Sequence, residues 1–258
     1  MKGNLQQDKI QILLRSSLVK LNTSNSLILN QSLIVVFAHL LYFEMKTILI
    51  FLNTFPSPDG STSALEFMMD RWLSTQTGFI GYDNKATVLA LCRLFQHSIS
   101  GDNIDGDNGN INLNRIDVNI EDEPLGSDRI VTRSQTKSKP PLIRKVPCTV
   151  KILKLLINEY CHLSEIMKRK DNVNSDSQQF VNSDSDQDSD EDYKSGDFYD
   201  FEGDIACDDD DILNDDIASI DLWDVLQQVL RDFRNKCPFG ADFMPHLTKD
   251  EKDILQAV

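Results

Sequence analysis

Nothing in the sequence pairs its cysteines. The five of them, Cys92, Cys148, Cys161, Cys207 and Cys237, are odd in number and scattered, with no CxxC pair and no histidine at finger-like spacing. A disulfide framework and a zinc ribbon are thereby excluded, and a reducing compartment fits. Cys161 and His162 are adjacent, but neighbours on a helix point about 100° apart and a metal site needs further ligands; the thiols read as unbonded groups in or near a core. Catalytic signatures are missing as well. There is no Walker loop, no GxSxG elbow and no HExxH, and His39, His97, His162 and His246 have no catalytic companions. Asp102, Asp105 and Asp107 with Gly106 and Gly109 raise a calcium loop, yet Gly101 and Ile104 stand where the first aspartate of an EF-hand is required. The sequence therefore predicts no enzyme, no metal and no cofactor. It also lacks an apolar run before the polar stretch Asn4 to Lys9, so it predicts no secretory signal. The apolar stretch Leu27 to Phe43 is interrupted by Asn30, Gln31, Ser32 and His39, short of the roughly 20 residues a membrane span requires. It reads as a buried helix.

What is present is helical periodicity. Ile10, Leu13, Leu14, Leu18 and Leu21 fall at i, i+3, i+4 spacing, the run to Phe43 forms a second helix, and Met45 to Phe55 forms a third that Pro56, Pro58 and Asp59-Gly60 stop. Ser63 and Glu66 spell a capping box ahead of a stripe of Leu65, Met68, Met69, Trp72 and Leu73. Val88, Leu91, Cys92, Phe95 and Ile99 mark the next stripe. Apolar positions from Cys148 to Met167 mark another, and Leu222, Val225, Leu226, Val229 and Phe233 a further one, with Asp221 and Asp224 at the start of that segment and basic residues at its end, as the macrodipole favours. Thr248 and Glu251 cap a last helix. No strand alternation competes with these patterns. The starts fall about 20 residues apart, so paired helices repeat near 40, the period of HEAT-like repeats, with a plain helical bundle as the alternative. The expected fold is all-α, a HEAT-like helical-repeat solenoid with two long disordered loops: helical repeats over 1–100, a polar then basic loop over 101–146, a helix over 147–170, an acidic loop over 171–216 and C-terminal capping helices over 217–258.

The charge is concentrated. Of the net charge of −15, the segment from Asp184 to Asp216 holds sixteen acids against Lys194 alone, which leaves 25 acids and 25 bases elsewhere in the 258 residues. The body is neutral and the tract is the anion. Among its carboxylates, Asp184, Asp186, Asp188, Asp190, Glu191, Asp192, Asp208, Asp209, Asp210 and Asp211, lie the rings of Tyr193, Phe198, Tyr199 and Phe201. Charge of this density attracts a basic partner and rings anchor it, which makes these the candidate cargo-binding residues; by composition alone a solvated spacer reads equally well. Ser183, Ser185 and Ser189 each have an acid three positions on, the pattern acidophilic kinases accept. The basic run through Arg129, Arg133, Lys137, Lys139, Arg144 and Lys145 is spread out and lacks interleaved aromatics, so direct nucleic-acid binding is not expected.

Several runs resemble the C-terminal repeats of the importin-β superfamily of nuclear import receptors, the karyopherins. They are Gln31 to Leu40, the Ala64-Leu-Glu-Phe67 start followed by Trp72, Val88 to His97, Thr132-Arg-Ser134 and Val150 to Glu159. An acidic loop, Ile220-Asp-Leu222 and Ile254-Leu255 then follow in the same order. The resemblance implies a HEAT-repeat superhelix that shuttles between cytoplasm and nucleus through nuclear pores, contacting pore proteins. It further implies basic cargo, notably core histones and ribosomal proteins, and release by Ran in its GTP state through upstream repeats that this chain does not contain. The Asn- and Asp-rich insertion from Gly101 to Ile120 departs from the family. The alternative is a helical-repeat interaction scaffold or an acidic histone chaperone without transport activity.

Overall fold

The computed structural model describes residues 2–100, 104–106, 109–122, 142–176, 215–236 and 240–258. The fold is all-α, with seven helices among those residues: α1 (Lys2–Thr23), α2 (Leu27–Thr54), α3 (Ala64–Thr75), α4 (Gly81–Ser100), α5 (Cys148–Asp176), α6 (Leu222–Lys236) and α7 (Lys249–Ala257), with single turns at Gly240–Phe243 and Met244–His246 before α7. Packing follows chain order, α1 on α2, α2 on α3 and α4, α4 on α6, and α6 on α7. Two units result. One comprises 1–160 with 221–258, the other 161–220.

Helix α2 is the axis of the first unit. Ser26 caps its start, its side chain accepting from Leu29 N, and one non-helical residue, Glu44 (φ −126, ψ 44), separates two halves. These are the two segments that the sequence predicts on either side of that residue. Ile34, Phe37, Ala38 and Leu41 are buried in the first half, Ile48, Leu49, Phe51 and Leu52 in the second. Asn30, Gln31, Ser32 and His39 do not shorten it: by length and composition, Leu27–Thr54 passes as a candidate membrane span, with a mean hydropathy of 1.9 and a third of its most apolar window buried. Its packing on α3 and α4 gives its buried face the partners of a core helix.

The α2–α3 connection is built by short polar residues. Asp59 Oδ1 accepts from Ser57 Oγ at 2.6 Å, Ser61 Oγ at 2.9 Å and Ser61 N at 3.1 Å. Those donors favour the charged carboxylate and hold its pKa at about 2. Gly60 takes φ 72, which a side chain would strain. Ser63 then caps α3, its Oγ accepting from Glu66 N at 3.1 Å. Every residue of the predicted α3 stripe, Leu65, Met68, Met69, Trp72 and Leu73, is buried. Each such side chain contributes roughly 1.5–3 kcal/mol when removed from water.

The expected loop over 101–146 is corrected in part. Ile104–Gly106 (β1) pairs antiparallel with Gly109–Ile111 (β2), and Asp117–Asp122 (β3) with Leu142–Pro147 (β4), Val118 opposite Val146. Ile111, Leu113, Ile116, Val118 and Val146 are buried. The physical reason is the alternation Ile116, Val118, Ile120, which gives a strand one apolar face. The outer edge of β3 is satisfied by side chains, with Asn119 N donating to Asp70 Oδ1 at 3.4 Å and Lys151 Nζ donating to Asn119 O at 2.6 Å. Residues 123–141 lie outside the described residues, and with them Arg129, Arg133, Lys137 and Lys139; Arg144 and Lys145 are exposed on β4. The helix expected over 147–170 begins at Cys148 and runs on to Asp176, six residues into the expected acidic loop.

Candidate functional site

The predicted cargo-binding residues, Asp184, Asp186, Asp188, Asp190, Glu191, Asp192, Tyr193, Phe198, Tyr199, Phe201 and Asp208 to Asp211, lie outside the described residues, as do Ser183, Ser185 and Ser189. The structure describes what stands on either side. Before the tract, α5 carries the exposed pair Glu165 and Arg169, 3.9 Å apart at i, i+4. After it, the last two acids of the tract open a tight turn: Ile217 N donates to Asp215 Oδ1 at 2.9 Å, Ser219 Oγ to Asp216 O at 2.8 Å, and Ile220 N to Ile217 O at 3.2 Å.

The unit of 1–160 with 221–258 holds a polar chain that helical periodicity does not single out. Trp72 Nε1 donates to Gln76 Oε1 at 2.7 Å. Gln76 Nε2 in turn donates to Thr87 Oγ1 at 3.0 Å and to Asn84 Oδ1 at 3.3 Å, and Asn84 Nδ2 donates to Glu159 Oε1 at 2.8 Å. Gln76 and Thr87 are buried, so each link matters, since an unpaired polar atom there would cost the full desolvation penalty. The chain fixes α3, α4 and α5 relative to one another. Next to Glu159, Tyr160 stacks on Trp223 of α6 with ring centroids 4.6 Å apart and planes inclined by 13°. Tyr160 and Trp223 are far apart in sequence, and no local pattern signals their contact.

Helix α6 seats through Leu226, Val229, Leu230 and Phe233, all buried. The Phe95 ring lies 5.5 Å from Phe233 and 6.2 Å from Phe243, which are 5.1 Å from each other, in tilted and edge-on arrangements that aromatic quadrupoles favour. Arg231 Nε and Arg234 Nη1 donate to Val258 O and Gln256 O at 2.9 and 3.2 Å, satisfying carbonyls at the end of α7. Burial pushes the Cys148 thiol up to about 12 and the Cys92 thiol higher, with the charge of Glu159 adding to the shift at Cys92. These are inert thiols of the core. Among the described residues no group of three His, Cys, Asp or Glu side chains is placed to hold a metal ion.

On α1 and α2, apolar side chains face outward. Ile12, Leu13 and Val19 of α1 are exposed by 62%, 66% and 52%, and Leu27, Ile28, Val36 and Phe43 of α2 are exposed as well. Of the predicted α1 stripe, Leu14, Leu18 and Leu21 are buried, whereas Ile10 and Leu13 are not.

No protein-family model matches the chain. Over 261 residues it is 30% identical to importin-9 of Drosophila melanogaster, an alignment that covers 98% of this chain and 24% of that protein. Over 187 residues it is 28% identical to importin subunit beta-5 of Saccharomyces cerevisiae, covering 72% of this chain and 17% of that protein. The chain thus spans about a quarter of the length of the first relative and about a sixth of the second. Similarity to importin-9 over 98% of this chain, and to importin subunit beta-5 over 72% of it, shows that the chain belongs to the importin family.

Proposed function

We propose that the chain is the C-terminal, cargo-binding portion of an importin-9-like receptor that carries basic proteins, core histones and ribosomal proteins among them, into the nucleus. In the whole receptor, helical repeats outside this chain bind Ran in its GTP state and release the cargo, and the receptor passes nuclear pores by contacts with pore proteins. The observation that carries the reading is the charge of one segment, sixteen acids against one base between Asp184 and Asp216, attached to an otherwise neutral helical body. A tract of that density attracts lysine- and arginine-rich surfaces and raises their encounter rate. Phosphorylation at Ser183, Ser185 and Ser189 would add about −1.5 to −2 charges per site and strengthen the attraction.

The test is deletion of residues 184–216 and titration against a core histone dimer at physiological salt. A loss of affinity of tenfold or more is expected; unchanged affinity overturns the reading and leaves a helical scaffold whose acidic tract is a spacer. The same tract supports one second reading, an acidic chaperone that holds basic proteins without transporting them. Import of labelled histone into permeabilised cells by the full-length gene product, with and without Ran, separates the two.

A further inference from the structure

The chain passes from one unit to the other after Tyr160 and returns at Asp221. The two crossings are joined by the body's own side chains. Tyr160, the last body residue before the excursion, stacks on Trp223, the third residue after it. Asp221 caps α6, its Oδ1 accepting from Trp223 N at 2.8 Å and Asp224 N at 3.4 Å, and so fixes the backbone that carries the Trp223 ring. Its charge also acts on Lys85 of α4, raising a pKa that partial burial lowers. On the other crossing, Glu159 is held by Asn84, and through it by Gln76 and Trp72. Beyond the crossings, Phe233 and Phe243 pack with Phe95, and Lys154 pairs with Glu251. Segment 221–258 is therefore bound to 1–160 by contacts that do not run through the connecting chain.

We propose that the Tyr160–Trp223 stack and the Asp221 cap form a clasp that closes the base of the 161–220 excursion, so that α6 and α7 stay seated when the acidic tract is occupied or severed. The inference goes beyond the cargo reading, because it holds whatever the tract binds. Loop-closure cost grows only with the logarithm of loop length, so the strength of the clasp depends little on how long the tract is. A clasp of this kind keeps events on the tract from unfolding the helical body, and it places Trp223, one of two tryptophans, at the base of the excursion as a reporter.

The experiment uses the full chain with a sequence-specific protease site placed between Ser195 and Gly196. After cleavage the two pieces are expected to co-elute on size exclusion and to melt together within a few degrees of the uncut chain; separation of the pieces, or loss of the cooperative transition, overturns the proposal. The stack is tested in the cut protein by exchanging the C-terminal piece for a labelled copy. Tyr160→Leu and Trp223→Leu, each first shown by circular dichroism to fold uncut, are expected to speed release about five- to tenfold, with the double variant no faster than the faster single one. Release rates equal to those of the unsubstituted protein, or effects that multiply in the double variant, would show that apolar packing alone holds the segment and that there is no clasp.

Discussion

Lys154 and Glu251 join the middle of the chain to its last helix: the Lys154 ammonium lies 2.9 and 2.8 Å from the two carboxylate oxygens, while Oε2 of the same carboxylate accepts from Thr248 N at 2.7 Å. Thr248 Oγ1 in return accepts from Glu251 N at 3.2 Å, which completes a capping box at the start of α7. One side chain thus serves both a helix cap and an ion pair whose members are only 20% exposed.

Separating those two roles gives the first prediction. Lys154→Met removes the pair and spares the cap, and costs about 1 kcal/mol; Glu251→Ala removes both, and costs about 2 kcal/mol. Urea unfolding followed by circular dichroism measures the difference. Equal losses would show that the cap contributes nothing.

The Trp72–Gln76 bond gives the second. Trp72→Phe keeps most of the ring burial but leaves Gln76 Oε1 without its donor in a buried site, a cost of about 1–3 kcal/mol. Thermal unfolding should show it as a melting temperature lower by several degrees. Trp72→Phe combined with Gln76→Leu, which removes acceptor as well as donor, should recover part of the loss. A double variant no more stable than the single one would place the cost in lost ring packing.

The helices were legible because their apolar stripes are local. The α3 stripe is buried residue for residue, the capping box at Thr248 and Glu251 is complete while at Ser63 and Glu66 only the Ser63 side-chain half forms, and the break between Phe43 and Met45 is the non-helical Glu44. The hairpins are not legible although Ile116, Val118 and Ile120 alternate, because the Asn and Asp residues around them outweigh a signal only a few residues long. The exposure of Ile10 and Leu13 was illegible for another reason: a stripe tells which residues are apolar, not which of them a neighbour covers. The contacts at the base of the excursion, Glu159 with Asn84 and Tyr160 with Trp223, join residues that no local pattern relates.

The buried thiols supply a pH prediction. Burial raises the folded-state pKa of Cys148 from 9.0 to about 12, and raises that of Cys92 too. The unfolded chain loses these protons first as pH rises, so the contribution of both groups is fully present below about 9 and is lost as pH climbs toward the folded values. In a variant with Cys161, Cys207 and Cys237 changed to Ser, a thiol reagent at pH 8 should label neither remaining cysteine until denaturant is added. Rapid labelling of the folded protein would refute the burial.

The outward apolar residues of α1 and α2 predict poor solubility. Ile12 and Leu13 contribute little to the core at their exposure, so Ile12→Lys with Leu13→Lys should leave the melting temperature within a degree or two while raising the concentration at which the chain stays monodisperse. Light scattering against concentration checks it. Loss of helicity in the double variant would instead mean that these side chains support the fold.

On the proposed cargo reading, charge and rings in the acidic tract act at different stages of binding, and this yields the last prediction. At physiological salt the Debye length is about 8 Å, so the carboxylates steer a basic partner only at short range, and association should slow as salt rises. Once contact is made, Phe198, Tyr199 and Phe201 can bury ring area on the partner, and a good aromatic anchor costs about 2 kcal/mol or more when truncated. Replacing these three with Ser should therefore raise the dissociation rate roughly thirtyfold or more while leaving the salt dependence of association nearly intact. Replacing Asp208, Asp209, Asp210 and Asp211 with Asn should slow association, flatten its salt dependence and change dissociation little, since charges at the edge of a contact act mainly on the encounter. Stopped-flow binding to a core histone dimer at several salt concentrations resolves both rates. If the two variants behave alike, the rings anchor nothing and the tract acts as a uniform polyanion.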